Sequence, residues 1–520
     1  MHANFLNILM AKAKLEKKTF FNRFLTVVEK GGNALPHPAT LFGIFALLTV
    51  ILSGVAYWVD WSAIHPATGE EVHPVNLLTV DGLHRMMTML VDNTTGFAPL
   101  GVVFVAMLGI GIAESSGLIS ATIRLLVLAS PKKILTFVLV FAGILSNMAS
   151  DIGYVLLIPL AGVIFIAVKR HPIVGMAAAF AGVSGGFSAN LLIGTIDPLL
   201  AGLSTEAAEI IDPSYDVNPT ANYYFMVVST FVIAFGGTWV TERFVAPRFG
   251  EYTGEGSGEE LERLKPEEKR GLLWATVALI IIVGVMLVGI IPEGGFFRGP
   301  DGGVLSSPLI KGVIAVLVIV AGITGVVYGV VARTFKNDAD VMNGMAQAMK
   351  TLALYFVLVF FAAQFVAYFK WSNLGIIFAV KGAAFLSSLN VGLIPLMLAF
   401  VILAAIINMF MGSASAKWAI LAPIFIPMFM LMGYSPELSQ VIFRIGDSVT
   451  NIISPMMSFF ALIIAFIQKY DKNAGIGTVI ATMLPYSIAF FILWSLLLIA
   501  WVWIGLPLGP GAELYYEMPK

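Results

Sequence analysis

Four asparagines sit inside stretches that are otherwise apolar: Asn147 and Asn190, 43 residues apart, and Asn408 and Asn451, again 43 apart. Each has hydroxyls, glycines or a carboxylate close by. The runs are Ser146-Asn147-Met-Ala-Ser150-Asp151, Ser184-Gly185-Gly186-Phe-Ser188-Ala-Asn190 leading to Gly194-Thr195-Ile-Asp197-Pro198, Asn408-Met-Phe-Met-Gly412-Ser413-Ala-Ser415-Ala-Lys417-Trp418, and Arg444-Ile-Gly446-Asp447-Ser448-Val-Thr450-Asn451-Ile-Ile-Ser454-Pro455. Amide, hydroxyl and carboxylate oxygens, with carbonyls freed where Gly or Pro unwinds a helix, make a hard-oxygen set suited to Na⁺ or, through an aspartate, to H⁺. Half-helix amino ends facing the same space attract an anion. A plainer role stands beside each: the asparagines serve equally as caps of broken helices, Arg444 and Asp447 three residues apart suit an ion pair, and Trp418 suits an interfacial anchor.

The setting of these residues is membrane. Of 520 residues 58% are apolar and 12% charged, against roughly 45–50% and a quarter in soluble domains. A water-soluble domain of this size has no interior large enough for that much apolar surface. Thirty basic and 31 acidic residues leave a net charge of −1, so no global field recruits nucleic acid. The lack of cysteine removes thiolate catalysis and Cys-ligated metals. All six histidines fall outside the apolar segments' centres, which argues against a histidine proton relay or a serine hydrolase. A Gly-x-Gly-Asp aspartyl protease motif is missing, because arginine stands first in Arg444-Ile-Gly446-Asp447. The chain is not read as an enzyme.

Apolar stretches of spanning length, about 20 residues, begin near Thr40, Phe97, Gly175, Tyr223, Leu272, Leu309, Leu352, Leu438 and Gly477, which predicts nine crossings. Regions 134–168 and 392–433 are too long for one helix and are broken halfway by polar residues. Basic residues on both flanks of the first, Lys132 and Lys133 before it and Lys169 and Arg170 after it, put both its ends in the cytoplasm. It therefore reads as a re-entrant hairpin. Alternation through the acidic loop at Glu206 to Asp216 and the basic connector at Arg243 to Arg270 makes the second region a hairpin entering from outside, and leaves the carboxyl terminus outside. The expected organisation is an amino-terminal cytoplasmic, interfacial segment 1–36, a first repeat 37–241, a cytoplasmic linker 242–270, a second repeat 271–508 and a tail 509–520.

The two halves correspond at unusual positions. Asn147 matches Asn408 and Asn190 matches Asn451, both 261 residues on, and Tyr154-Val-Leu-Leu-Ile-Pro159 matches Trp418-Ala-Ile-Leu-Ala-Pro423. Opposed hairpins in two related halves indicate inverted repeats with broken helices, the plan of a secondary transporter. The fold class is thus an all-α polytopic membrane protein with about nine transmembrane helices, two re-entrant hairpins and an inverted repeat.

The runs Gly185 to Pro198, Gly412 to Trp418 and Arg444 to Pro455, with Leu35-Pro-His-Pro38, resemble the AbgT family of bacterial p-aminobenzoyl-glutamate transporters, and within it are most similar to a Neisseria antimetabolite-exporting member. The resemblance implies a bowl-shaped inner-membrane homodimer that handles p-aminobenzoyl-glutamate, p-aminobenzoate or sulfonamides. By resemblance, functional positions fall on Asp197, Ser415, Trp418, Pro436, Arg444, Asp447 and Pro455, with ion-linked positions on Asn408 and Asp447. The reading of the residues adds Asn190, Asn147, Asp151, Ser413, Asn451 and the break at Gly194. Trp418 is expected to stack the substrate ring, and Arg444, Ser413 and Ser415 to hold carboxylates. Asp447, Asn408 and Asn451 are expected to hold the coupling ion, Na⁺ or H⁺. No organic cofactor is expected. The alternative is proton-driven export of sulfonamides and p-aminobenzoate.

Overall fold

The computed structural model describes residues 36–64, 69–148, 152–250, 252 and 264–518. The amino-terminal segment, Asp151 and most of the 251–263 part of the linker lie outside the described residues. Apart from one two-stranded ribbon, Ala63–Ile64 against Glu71–Val72, the chain is helical. It is an all-α membrane protein.

Nine helices among the described residues are long and apolar enough to cross a bilayer, yet they are not the nine crossings expected. Seven coincide with expected spans: Pro38–Trp58, Ala98–Ser115, Tyr223–Phe249, Pro266–Ile290, Val313–Val331, Ala353–Trp371 and Ile476–Ile504. The other two, Leu393–Phe410 and Ala414–Leu431, are the arms of the second hairpin. The remaining two expected spans are broken. One runs through Pro172–Phe180 and the wide π-helical turn Ala181–Gly185, opens, and resumes as Ile196–Ala208. The other runs through Pro436–Asn451, opens, and resumes as Phe460–Gln468. No piece of either reaches 18 residues, so neither satisfies a length criterion alone. Glycine and proline at the openings, Gly185, Gly186 and Gly194 in one and Pro455 in the other, account for the breaks.

The first hairpin has arms Leu135–Ser146 and Gly153–Ala167. At 1.5 Å per residue they reach about 18 and 22 Å, well short of a bilayer core of about 30 Å. Its ends are tied together where Arg170 donates to Thr136 Oγ1 at 2.9 Å and pairs with Glu242 at 2.8 Å. Loops on this face also meet through Arg124 with Glu268 at 2.5 Å and Arg248 with the Ala481 carbonyl at 3.0 Å.

The opposite face gathers the loops assigned outside. Lys370 pairs with Glu209 at 3.3 Å, Asn373 donates to the His73 carbonyl at 2.9 Å, and Lys381 lies 5.6 Å over the Trp61 ring. The tail bridges Tyr515 to Tyr434 and its Tyr516 hydroxyl meets Asp212 at 3.3 Å. The carboxyl-terminal tail thus shares the face of the acidic loop. Among the helices outside the expected elements, Leu374–Ser388, apolar but only 15 residues long, lies on this face between the sixth continuous span and the second hairpin.

The repeat is visible in packing. A Cβ on Gly182 would stand 2.2 Å from the Val140 carbonyl oxygen, and one on Gly446 would stand 2.4 Å from that of Val401. Val140 precedes Asn147, and Val401 precedes Asn408, by seven residues. In both halves the broken span passes the same point of its hairpin arm through a glycine, because nothing larger allows that approach, though Gly182 stands eight residues before Asn190 and Gly446 five before Asn451.

Candidate functional site

The second hairpin turns at Met411 to Ser413, where Ser413 caps the returning arm by accepting from the Ala416 amide. The cap places Ser415 and Lys417 in the first turn of Ala414–Leu431. Ser435 caps the neighbouring helix in the same way, accepting from Leu438 at 3.1 Å, with Pro436 at its first position, where a missing N–H costs nothing. Pro436 therefore starts the helix that carries Arg444, Asp447 and Asn451.

These residues meet the hairpin in one polar cluster. The Asn408 amide nitrogen donates to the Asp447 carbonyl at 2.6 Å, Thr450 Oγ1 at 2.9 Å and Asn451 Oδ1 at 2.9 Å. Lys417 Nζ touches both Asn408 Oδ1 and Asp447 Oδ1. Its side chain is 0% exposed and that of Asp447 1%, so the pair is buried. The ammonium occupies the oxygens that the sequence assigns to a metal cation.

Arg444 corrects a sequence expectation. It does not pair with Asp447: its Nη1 lies 2.7 Å from Oδ1 of Asp197, which belongs to the other broken span. Asp197 Oδ2 also accepts from the Gly194 amide at 2.7 Å, so the carboxylate pins the unwound segment. The geometry explains the choice, since Asp447 is already neutralised by Lys417. Two buried pairs of opposite charge result, one within the second repeat and one between the repeats.

A cavity of about 330 Å³ opens beside this cluster. Its wall takes Asn147 and Tyr154 from the first hairpin, Phe187 and Thr195 from the first broken span, Gly412 and Ser415 from the second hairpin, and Asp447, Asn451 and Phe459 from the second broken span. Thr351 and Tyr355 complete it from the scaffold side. Of the expected site residues, Asn147, Ser415, Asp447 and Asn451 line the cavity. Arg444, Asp197, Asn190 and Asn408 are behind the wall, while half-buried Ser413 stands at its edge, 3.1 Å from the wall residue Ser415; Asn190 instead accepts from the Leu191 amide at 2.9 Å. Asp151 lies outside the described residues. Pro455 sits in the turn between Pro436–Asn451 and Phe460–Gln468.

Trp418 differs most from expectation. It is fully buried, stacked on Phe443 at 4.6 Å, and its indole N–H donates to Ser204 Oγ at 3.0 Å. Ser204 in turn donates to Gln440, whose amide reaches Asn222. Buried against Phe443 with its polar edge engaged, Trp418 does not line the cavity. The aromatic residues at the cavity are Phe187, Tyr355 and Tyr154, the last stacked face to face on Phe459 at 4.5 Å and 11°. Sequence reasoning paired Tyr154 with Trp418 in the repeat and then chose the tryptophan; the residues share a repeat position, and only the tyrosine's copy faces the space. Thr351 and Tyr355 were missed altogether, and Asn337 capping the polar helix Asp338–Thr351 was the signal that a structured element precedes that span.

The charged pair is confined to one repeat. The positions matching Lys417 and Asp447 in the first half are Gly153 and Gly186. Among the described residues no three His, Cys, Asp or Glu side chains converge, so a site for a transition metal is not formed there.

The AbgT transporter family profile matches residues 23–516. The chain belongs to the AbgT transporter family. It is 38% identical over 485 residues to the p-aminobenzoyl-glutamate transport protein of Escherichia coli (strain K12), covering 93% of this chain and 95% of that protein. Solved structures are similar as well, two of them over most of the chain. The Neisseria gonorrhoeae MtrF structure, from a class of antimetabolite efflux pumps, aligns with a TM-score of 0.90 and 51% identity over 94% of this chain and 100% of that chain. The Alcanivorax borkumensis YdaH transporter, noted for an unusual topology, aligns with a TM-score of 0.87 and 49% identity over 91% and 100%. This AbgT-family chain is a transporter and not an enzyme, and it shares the helical membrane fold of these two transporter structures.

Proposed function

We propose that the protein is a cation-coupled secondary transporter of p-aminobenzoyl-glutamate and related aryl carboxylates across the bacterial inner membrane. The observation that carries this reading is the cavity at the meeting of both hairpins and both broken spans, which joins a stacked aromatic pair to hydroxyls, amides and Asp447. An aryl ring fits the Tyr154 and Phe459 surface, and Ser415, Thr195 and Asn147 offer hydrogen bonds to its polar groups. Coupling by Na⁺ or H⁺ falls on Asp447, the only charged side chain in the wall among the described residues. Rocking of the hairpin-bearing part exposes the cavity to each face in turn. The active form is a homodimer, for which the lipid-facing apolar surface of Pro266–Ile290 supplies ample contact area.

A second reading, export of p-aminobenzoate and sulfonamide antimetabolites driven by the proton gradient, is favoured by the higher identity to the efflux pump than to the Escherichia coli protein. Uptake of labelled p-aminobenzoyl-glutamate and p-aminobenzoate into proteoliposomes tests both. Saturable uptake accelerated by an inward Na⁺ gradient supports the first, and acceleration only by an opposing pH gradient supports the second. No saturable transport under either condition refutes the substrate assignment.

A further inference from the structure

An anionic substrate needs a positive charge that the cavity wall lacks: Asp447 is the one charged residue lining it among the described residues. Two buried cations lie behind the wall. Arg444 is neutralised by Asp197, which also holds the Gly194 amide, so releasing it would undo the broken span. Lys417 is placed differently. Its partner Asp447 forms part of the wall, it follows the wall residue Ser415 by two positions, and its ammonium rests on two oxygens that a metal cation can take in its stead.

We propose that Lys417 is a transferable cation. In the empty site its ammonium fills the cation position between Asn408 and Asp447; when Na⁺ takes those oxygens, the four-carbon stem carries the ammonium to the carboxylate of the substrate. This rests on the reading of a cation-coupled carrier of aryl carboxylates. No bond is made or broken and no proton moves. Charge balance supplies the coupling. Asp197, Arg444, Asp447 and Lys417 sum to zero in the empty site, where all four are buried. Na⁺ alone would leave one uncompensated positive charge and the carboxylate alone one negative charge, whereas both together restore neutrality. An uncompensated buried charge is strongly unfavourable, so each ligand strengthens the binding of the other, by the same factor in both directions. Asn408 keeps the position defined throughout, because its amide nitrogen stays bonded to the Asp447 carbonyl, Thr450 and Asn451.

The test is equilibrium binding of p-aminobenzoate, which has one carboxylate, to the purified full-length protein in NaCl or in choline chloride of equal ionic strength. The wild type is expected to bind at least tenfold more tightly in Na⁺. K417Q, whose remaining buried charges sum to −1, should bind p-aminobenzoate at least tenfold more weakly than the wild type in NaCl, while Na⁺ alone protects it from heat at lower concentration than in the wild type. K417R, which keeps a cation, should retain part of the wild-type affinity in NaCl. Uncharged p-aminobenzamide should bind the wild type equally in both salts. Wild-type affinity of K417Q for p-aminobenzoate in NaCl would overturn the role of Lys417 and leave Na⁺ coupling standing, whereas a wild type indifferent to Na⁺ would remove both. If K417Q does not fold, the amide decides: enhancement as large as that of the acid refutes charge balance.

Discussion

Replacing Asp197 by asparagine leaves the Arg444 guanidinium buried without its counter-charge, and Arg444→Gln does the same to Asp197. Their contact is 2.7 Å with side-chain exposures of 4% and 1%, so neither group can recover its hydration. Removing one member of such a pair costs about 3–5 kcal/mol. The double replacement removes both charges together, and the two effects should fall short of additive by about 2–3 kcal/mol. The same cycle on Lys417 and Asp447 should show coupling of similar size, while the crossed cycle, Arg444→Gln with Asp447→Asn, should show less than half of it. Equilibrium unfolding in mixed detergent micelles, followed by helix content, reads all three cycles. Strong coupling in the crossed cycle with none between Asp197 and Arg444 would refute the pairing scheme and with it the link between the two repeats.

Gly446→Ala should destabilise by about 1–3 kcal/mol, because its Cβ meets the Val401 carbonyl at 2.4 Å and Ala404 at 2.6 Å, whereas Gly284→Ala, with nothing within 4 Å, should be neutral or stabilising; thermal unfolding of the two variants compares them. Trp418→Phe should lower the melting temperature through loss of the Ser204 hydrogen bond and leave p-aminobenzoate affinity within twofold, while Tyr154→Leu should weaken that affinity about tenfold, as binding titrations will show. His171, in the cytoplasmic turn ahead of Pro172, has its pKa lowered from 6.5 by burial, with Asp471 opposing. Below pH 6.5 the unfolded chain binds the proton first, so stability is lost as pH falls through that window. Protonation also ends the acceptance of the Ile173 amide by Nδ1. His171→Asn, still a cap, should flatten the fall in melting temperature between pH 7.5 and 5.

The breaks were legible because a bilayer penalises polar residues and helix-breakers, so Asn147, Gly185, Gly412 and Pro455 stand out against apolar sequence. The register between the halves was legible for the same reason. Which face each polar residue presents was not. In a membrane protein the interior is about as apolar as the lipid-facing surface, so the helical periodicity that orients soluble helices is nearly flat. Trp418 and Tyr154 therefore look equivalent in sequence, although one is sealed behind Phe443 and the other lines the cavity. The partners of the charges were hidden by distance: Asp197 and Arg444 are far apart in sequence and meet only because two broken spans cross. The count of nine spans agreed while two of its members changed, because length criteria accept hairpin arms of 18 residues and reject spans that unwind.

A protein made of two inverted halves has two end states related by exchanging the halves' roles, and perfect symmetry would make them equal in energy. Lys417 and Asp447 break that equality, since their counterparts are Gly153 and Gly186. The first half cannot acquire the pair: a Cβ on Gly153 would stand 2.1 Å from Ser146 Oγ, and one on Gly186 2.5 Å from the Gly182 carbonyl oxygen. Close packing thus makes the asymmetry permanent. Each 1.4 kcal/mol by which the pair favours one end state shifts their populations tenfold. The resting orientation of the carrier then depends in part on this ion pair, and the ligands that rearrange it act on the conformational equilibrium as well as on the site.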